Sequence, residues 1–274
     1  MNRLKVDYHI HTTYSDGHAS PMDIIKKAKE LEYDVLAITD HDNVDGIAEA
    51  MIAGQALDIK IVPGIEVATM TEEGVGLHIL GYNIDPENVK LKNFLSQMIE
   101  NRNKRNKELL RSLAELGYEL KEEEIETGKN QYIGKPVIDR ALASKGYIKD
   151  YKEAFGPQIL GSKKCRSIQR VKPLAKEAIE IIIEAGGQPV LAHPIQARGI
   201  GRTGSEEFYK NIEEIIAKLK KQGLKGLECF HPDQNQEQSM RFVELACKYH
   251  LHITEGSDFH GEDFAEAPKT ANSL

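Results

Sequence analysis

The sequence predicts an α/β fold in which repeated βα units form a barrel. Short apolar runs that end in polar residues alternate with longer amphipathic segments, which is the pattern of strands and helices around a parallel sheet. Nearly every such run ends in a residue that can bind a metal ion. The 274 residues, 40% of them hydrophobic, suffice for one large α/β domain with a sizeable core.

Seven apolar runs are the predicted strands of this barrel. In chain order they are Leu4–His11, Tyr33–His41, Ile59–Val67, Gly76–Tyr82, Gln188–His193, Gly226–His231 and Leu251–Asp258. The carboxyl ends of the strands form the catalytic face of β/α barrels. The polar residues that end these runs should therefore converge there.

Helices are predicted where start and stop signals flank a helical periodicity. Ser20 is a candidate N-cap, Pro21 suits the first helical position, and the helix continues to about Leu31. Residues Lys176–Ala185 carry apolar side chains at helical spacing, and Gly186 follows as a residue that ends helices.

The middle of the chain departs from this rhythm. From about residue 86 to residue 171 it reads as successive helices without a buried strand. A long helix is predicted over residues 86–118, and shorter ones near 121–126, 135–145 and 150–155. We therefore predict a barrel formed by residues 1–85 and 172–274, interrupted by a helical insertion, or cap, over residues 86–171.

Charge and hydropathy exclude several classes of protein. A net charge of −7 without a long basic stripe argues against binding to long duplex nucleic acid. No apolar stretch approaches the roughly 18–20 residues that span a bilayer, and the first residues lack the apolar core of a signal peptide. We therefore expect a cytoplasmic protein without membrane contact. Cys165, Cys229 and Cys247 form no Cys-x-x-Cys pair and are expected to be reduced, buried thiols. The sequence does not indicate the oligomeric state.

Histidines and acids cluster at the predicted strand ends. His9 and His11 are two residues apart on the first strand, which puts both imidazoles on one side, where they can chelate one ion. A lone histidine is more often structural or solvent-exposed, but the joint placement of these residues predicts a metal site. Such ligands suit Mn, Fe and Zn alike. The candidate ligands are His9, His11, Asp16, His41, Glu66, His78, His193, Asp258 and His260.

These motifs resemble those of the PHP (polymerase and histidinol phosphatase) family. The resemblance lies in the opening DYHIHTTYSDG, TDHD at 39–42, GIE at 64–66, His78, AHP at 192–194 and GSDFHG at 256–261. It implies a distorted (β/α)7 barrel that holds up to three divalent ions, commonly Mn, Zn or Fe. The insertion is similar to that of the subgroup acting on nucleoside phosphates and short RNA ends.

The resemblance also implies how the ligands divide among three ions. The first ion would take His9, His11, Glu66 and Asp258. Glu66 would bridge to a second ion, which His78 and His193 complete, and the third would take Asp16, His41 and His260. The implied activity is hydrolysis of a phosphate ester, with in-line attack by a hydroxide that bridges two ions near Glu66.

Other residues of this face are candidates for supporting roles. Asp40 and Asp42 flank His41, and one of them could orient a ligand histidine. The alternative for Asp42 is a helix N-cap. His231 ends a predicted strand and matches a His-Pro pair that nucleotide-acting members often carry, which favours substrate binding or proton transfer.

Basic residues for a second phosphate are expected in the insertion and in one barrel loop, although a solvated helix face explains most such charges. Arg140 is favoured because GKPVIDRAL resembles a motif of the subgroup. The sequence departs from the family at Val137, where a histidine is common, and at Glu255, where a small residue is usual. These departures predict a changed pocket. The candidates for substrate contact are Arg105, Lys135, Arg140, Arg198 and His231.

The leading hypothesis is a phosphoesterase that acts on a nucleoside 3′,5′-bisphosphate or a short 5′-phosphorylated oligonucleotide. The first alternative is a phosphatase of another small metabolite, such as histidinol phosphate. A noncatalytic, metal-stabilised interaction module is an alternative of another class. Nucleic-acid binding without chemistry is disfavoured by the acidic charge and the lack of an aromatic and basic surface pattern.

Overall fold

The chain contains two compact units. The structure is a computed structural model that describes residues 4–122, 125, 133 and 135–261. The first unit comprises Met1–Phe94 and Lys172–Leu274, and the second comprises Leu95–Val171. The second unit therefore lies within the predicted insertion over residues 86–171.

The first unit is built on a seven-stranded sheet whose strands lie side by side in chain order. The first and last strands approach each other through a bridge between Ile10 and Phe259, so the sheet forms a nearly closed barrel. This confirms the predicted α/β barrel, and each predicted run coincides with one strand, although β3 continues past its run to Met70. The strands are β1 Val6–Ile10, β2 Val35–Ile38, β3 Lys60–Met70, β4 Gly76–Tyr82, β5 Gln188–Leu191, β6 Gly226–Phe230 and β7 His252–Glu255.

The direction of β4 corrects the expectation of a fully parallel sheet. Strands β1, β2 and β3 pair in parallel, as do β5, β6 and β7, whereas β4 is antiparallel to both β3 and β5. A parallel connection needs a crossover of about a dozen or more residues. Only residues 71–75 separate β3 from β4, so the chain makes a hairpin there.

The helices of the first unit begin and end at the signals in the sequence. Helix α1, Pro21–Glu30, starts after Ser20, whose hydroxyl accepts a hydrogen bond from the Asp23 amide. The predicted helix near residue 176 lies at Ala175–Glu184 and ends before Gly186, which has a φ of 79°. In chain order the structure has α1, α2 Ile47–Leu57, α3 Val89–Glu115, α4 Lys135–Ser144, α5 Tyr151–Ala154, α6 Lys163–Ser167, α7 Ala175–Glu184, α8 Glu206–Lys221 and α9 Gln236–Lys248.

Apolar side chains hold the barrel from both sides. One buried cluster joins β1 to β5 across the sheet and includes Val35, Val62 and Val190. Another packs Ile10 and Leu36 against the buried faces of α1 and α2. This packing fixes β1 and β2, the strands that lead into the first candidate ligands.

The second unit is a helical bundle with its own apolar core. Helix α3 begins in the first unit and continues into the second, where Leu109 and Leu113 pack against α4 and the segments after it. Val137 is buried in this core with 2% of its surface exposed. Half of the helix predicted near 121–126, at positions 123, 124 and 126, lies outside the described residues.

Two further observations concern membrane spans and the thiols. No helix in the described ranges has both the length and the apolar composition needed to cross a bilayer. Cys165 and Cys229 are free and buried, whereas Cys247 is exposed, so the expectation of a buried thiol is wrong for Cys247.

Candidate metal centre

The candidate ligands lie at one mouth of the barrel because of how the strands run. His9 is in β1, and His11 and Asp16 follow it, while Asp258 and His260 follow β7. His41 follows β2 and forms an isolated bridge with Glu66 of β3, and His193 follows β5. His78 is near the start of β4, since an antiparallel strand brings its amino end, not its carboxyl end, to this mouth.

Glu66 lies at the centre of the site and is fully buried. Its backbone amide donates to the Asp40 carbonyl, and its own carbonyl accepts from the Asp42 amide, so the segment after β2 fixes its position. Five imidazole nitrogens surround its two carboxylate oxygens. They are His193 Nε2 at 2.8 Å, His78 Nδ1 at 2.9 Å and His9 Nε2 at 3.4 Å from Oε1, and His41 Nδ1 at 2.7 Å and His11 Nε2 at 3.3 Å from Oε2.

The first group of potential ligands combines Glu66 with Asp258. The Asp258 Oδ1 atom lies 3.3 Å from His9 Nε2 and 3.2 Å from His11 Nε2. One donor atom from each of His9, His11, Glu66 and Asp258 lies within 4.8 Å of the others. This group is the set that the family resemblance implies for the first ion.

A second group surrounds Asp16. Its Oδ1 lies 3.3 Å from His260 Nε2 and 3.9 Å from His11 Nδ1, and its Oδ2 lies 4.0 Å from His41 Nε2. The group contains the three residues implied for the third ion and, in addition, His11.

A third group is formed by His41, Glu66 and His78. The set implied for the second ion contains His193 instead of His41, and His193 also contacts Glu66 Oε1. His41 therefore stands between two groups, with one ring nitrogen near Glu66 and the other near Asp16.

The donor set fits divalent metal ions. Four donor atoms, His9 Nε2, His11 Nε2, Asp16 Oδ1 and Glu66 Oε2, are buried without a hydrogen bond. Buried polar atoms normally have partners, and imidazole and carboxylate donors are those that Mn, Fe and Zn accept. Divalent ions would satisfy these atoms and offset the buried negative charge.

Ionisation at the site also suits cation binding. Burial alone would raise the pKa of Glu66, but His41, His78 and His9 hold it well below its usual value. Burial lowers the pKa of His78 to about 4 against the opposing effect of Glu66. At neutral pH Glu66 is thus a carboxylate and His78 a neutral imidazole, the forms that bind a metal ion.

Asp40 and Asp42 hold the neighbouring backbone and side chains in different ways. The Ser15 hydroxyl donates to Asp40 Oδ1 at 2.6 Å and lies 3.4 Å from His11 Nδ1, so Asp40 reaches a candidate ligand through Ser15. Asp42 Oδ1 accepts from the Ala68 amide of β3. The alternative that Asp42 caps a helix is wrong, because Gly46 is the N-cap of α2.

Two buried acids that the sequence reasoning missed support the same face. Glu228 of β6 accepts from His9 Nδ1 and from the His193 amide. Asp7 of β1 accepts from the His9 and Ser257 amides, and burial raises its pKa to about 6. The available signal was an acid inside an otherwise apolar run, because a carboxylate in a buried strand requires a partner.

His231 lies beside the candidate ligands, as expected for a residue that ends a strand at this mouth. Its Nε2 atom is 3.3 Å from Asp258 Oδ2, and its Nδ1 accepts from the Asp233 amide at 3.1 Å. A backbone N–H that donates to Nδ1 leaves the proton of a neutral imidazole on Nε2.

The basic residues expected to contact substrate belong to both units of the chain. Arg198 is exposed in the loop after β5, where its Nη1 donates to Thr203 Oγ1. Arg105 is on α3 and Arg140 on α4, both in the second unit, and the side chain of Lys135 lies outside the described residues. Their contacts with substrate stay predictions.

The two departures from the family pattern have different surroundings. Val137 packs in the core of the helical unit. Glu255 ends β7 and is buried. The pKa of Tyr8 is raised mainly by the burial of Tyr8, and the charge of Glu255 raises it further.

Comparisons with known proteins agree on one family. The family model for the PHP domain matches residues 7–188. A phosphoribosyl 1,2-cyclic phosphate 1,2-diphosphodiesterase of Eggerthella lenta is 32% identical over 96% of each chain. A 5′-3′ exoribonuclease of Haemophilus influenzae is 30% identical over 93% of this chain and 90% of its own. A 3′,5′-nucleoside bisphosphate phosphatase of Chromobacterium violaceum is 29% identical over 93% of this chain and 87% of its own.

Two solved structures share the fold over nearly the whole chain. An amidohydrolase from Chromobacterium violaceum, solved with sulfate and without metal, has a TM-score of 0.85 at 27% identity and covers 97% of this chain and 91% of that chain. A Bifidobacterium adolescentis protein predicted to be a metal-dependent phosphoesterase has a TM-score of 0.81 at 28% identity and covers 95% and 89%.

Proposed function

Because the chain belongs to the PHP domain family and is a metal-dependent phosphoesterase, we propose that it hydrolyses a phosphate ester of a nucleotide at a centre of up to three divalent ions. The observation that carries the proposal is the convergence of nine histidines and acids, Glu66 among them, in overlapping groups at one mouth of the barrel. The candidate substrates are a nucleoside 3′,5′-bisphosphate and a short 5′-phosphorylated oligonucleotide.

The proposed ligand sets are those that the family resemblance implies, and the first coincides with one of the three groups around Glu66 and Asp16. His9, His11, Glu66 and Asp258 would hold one ion, Glu66 with His78 and His193 a second, and Asp16 with His41 and His260 a third. His41 would lie next to both the second and the third ion, since its two ring nitrogens face Glu66 and Asp16. Divalent ions bound there would supply an activated water and neutralise the phosphoryl oxygens.

The protein's own groups would orient the substrate and transfer protons. His231 is our candidate for proton transfer to the departing oxygen, because the Asp233 amide directs the imidazole proton to Nε2. That atom lies next to Asp258 at the barrel mouth. Arg198, Arg105, Arg140 and Lys135 remain the proposed phosphate contacts.

The relatives support a phosphorylated ribose as the shared part of the substrate. The Haemophilus and Chromobacterium relatives are named for action on RNA and on a nucleoside bisphosphate, respectively. A phosphoribosyl 1,2-cyclic phosphate is a second candidate, because the Eggerthella relative named for that substrate is 32% identical and matches this chain over 96% of both lengths. The alternative of a noncatalytic interaction module is set aside, since none of the positions that match the family's ligand motifs has lost its metal-binding residue.

A hydrolysis panel on metal-reconstituted protein tests the proposal. It compares a nucleoside 3′,5′-bisphosphate, a nucleoside monophosphate, short 5′-phosphorylated RNA, a phosphoribosyl 1,2-cyclic phosphate and histidinol phosphate. We expect turnover of the bisphosphate or the short RNA. Turnover of the cyclic phosphate alone would select the second candidate, and turnover of histidinol phosphate alone would refute a nucleotide substrate.

Matched histidine variants connect that turnover to the metal centre. His78→Ala removes an imidazole 2.9 Å from Glu66 and is expected to lose metal and turnover together. His252→Ala is the control, because His252 is exposed at the start of β7. Full activity of His78→Ala would contradict the proposed site.

A further inference from the structure

Glu228 is a buried carboxylate that joins two candidate metal ligands from different strands. It is 0% exposed in β6. Its Oε1 accepts from His9 Nδ1 at 3.0 Å, and its Oε2 accepts from the backbone amide of His193 at 2.7 Å. Among the described residues, no lysine or arginine lies within ion-pair distance of it. The two hydrogen bonds therefore account for how this carboxylate is held.

The bond to His9 determines which ring nitrogen can bind a metal ion. Glu228 accepts at Nδ1, so the imidazole proton sits on Nδ1 and the lone pair on Nε2. Nε2 lies 3.4 Å from Glu66 Oε1 and 3.3 Å from Asp258 Oδ1, inside the first ligand group. A carboxylate behind a ligand histidine fixes its tautomer and increases its basicity.

The second hydrogen bond of Glu228, from the His193 amide, stabilises a backbone conformation. His193 has a φ of 21°, which is a sparsely populated conformation for a residue with a side chain. The same turn places His193 Nε2 2.8 Å from Glu66 Oε1. By accepting from the His193 amide, Glu228 stabilises a strained turn that delivers a second ligand.

Gly256 provides the space that this arrangement needs. A Cβ atom there would lie 2.7 Å from Glu228 Oε1 and 3.0 Å from the His9 amide nitrogen, which is too close for either atom to stay in place. The long carboxylate and the imidazole therefore fit together only beside a residue without a side chain.

We propose that Glu228 is a positioning residue of the metal centre, which sets the ligand tautomer of His9 and holds the backbone turn of His193. The inference rests on the metal centre of the proposed function and assigns it a residue outside the nine ligands. One carboxylate thereby couples the first ligand set, through His9, to the second, through His193.

The sharpest variant is Glu228→Gln, which keeps the shape and removes one acceptor. A glutamine has one carbonyl oxygen for two donors, and its NH2 group must face the other donor. If NH2 faces His9, the ring must accept at Nδ1, and its proton moves to Nε2, where it blocks the metal. If NH2 faces His193, the strained turn loses its partner.

Titration of the metal-free full chain with Mn²⁺ alone, by calorimetry, and with Co²⁺ alone, by visible absorption, tests the proposal. Glu228→Gln is expected to lower metal affinity about 10–100-fold and to change the Co²⁺ spectrum. The unfolding midpoint of its metal-free form should fall only modestly, because one buried donor loses its acceptor while the side-chain shape is kept. Cys229→Ala is the matched control: Cys229 is the next residue of β6 and is equally buried, so its truncation should lower the midpoint and leave affinity unchanged.

Glu228→Asp provides a second test that does not depend on the folding of Glu228→Gln. It keeps the charge but is one methylene too short for both donors, so its affinity should fall between those of Glu228→Gln and the wild type. Wild-type affinity in either Glu228 variant would refute the positioning role and leave the proposed function intact. A wild-type chain that binds no divalent ion would refute both.

Discussion

The glycine beside Glu228 offers a sensitive test of how tightly the metal centre is packed. Gly256 follows β7, and its Cα faces His9 of β1 and Glu228 of β6. In Gly256→Ala the new Cβ would lie 2.7 Å from Glu228 Oε1, 3.0 Å from the His9 nitrogen and closer still to His9 Cβ. The variant therefore adds one methyl group where three strands meet at the site.

The expected effect follows from these distances. Carbon atoms in favourable contact are about 3.5–4.0 Å apart, so His9, Glu228 or the backbone of residue 256 must move by most of an ångström. Overpacking of this kind costs about 1–3 kcal/mol. For a chain of this size, that corresponds to a midpoint lowered by roughly 2–12 °C. Because His9 and Glu228 are the atoms displaced, metal affinity should fall roughly tenfold as well.

Thermal unfolding of the metal-free chain and titration with Mn²⁺ measure both effects. Gly76→Ala is the control, because a Cβ there would meet only Lys172 Nζ at 3.8 Å, an ordinary contact. The control should melt and bind metal like the wild type. A wild-type midpoint and wild-type metal affinity in Gly256→Ala would refute the claim that the close packing of Gly256 against His9 and Glu228 holds the site in place.

Three further measurements address the same region. Asp7→Asn keeps both amide contacts of Oδ1. Because burial raises the folded-state pKa of Asp7 from 3.8 to about 6, the wild type loses stability as pH rises through that window. The variant should therefore gain about 2 kcal/mol relative to the wild type between pH 4 and pH 7 in chemical unfolding of the metal-free protein. A constant difference across this range would refute the assignment. Chelation should lower the unfolding midpoint, since ions at 100 times their Kd stabilise the folded state by about 2.7 kcal/mol; an unchanged midpoint would contradict binding to the folded chain. Metal affinity should fall with decreasing pH, because protons compete for His193, whose pKa is raised against the effect of burial by Glu66; pH-independent binding isotherms would refute that competition.

The sequence predicts the strands well and their directions less well. Each apolar run marked a strand because run length and flanking turn residues are local properties. The antiparallel direction of β4 follows from the length of the connection before it, and residues 68–75 between the two predicted runs are already too few for a parallel crossover. The fold class survives this change, since the hairpin still brings His78 to the mouth.

For the candidate site, too, the sequence predicts what depends on local spacing and misses what depends on contacts between distant residues. Spacing alone puts His9 and His11 on one side of β1, and family motifs extend the set to nine residues. Glu228 was missed because its position in an apolar run predicts only a strand, and its partners His9 and His193 are distant in sequence. The role of Val137 was also a matter of packing, because only the structure shows that it fills the core of the second unit.

The metal content of the wild type and of Glu66→Ala tests the central claim most directly. Glu66 would itself bind the ions of the first and second sets, whereas the third set, Asp16, His41 and His260, does not include it, although His41 also lies 2.7 Å from Glu66 Oε2. Elemental analysis of metal-saturated protein should therefore find up to three ions per wild-type chain, and Glu66→Ala should lose two of them and retain the one beside Asp16. Equal metal content in the two proteins would contradict a centre organised around Glu66.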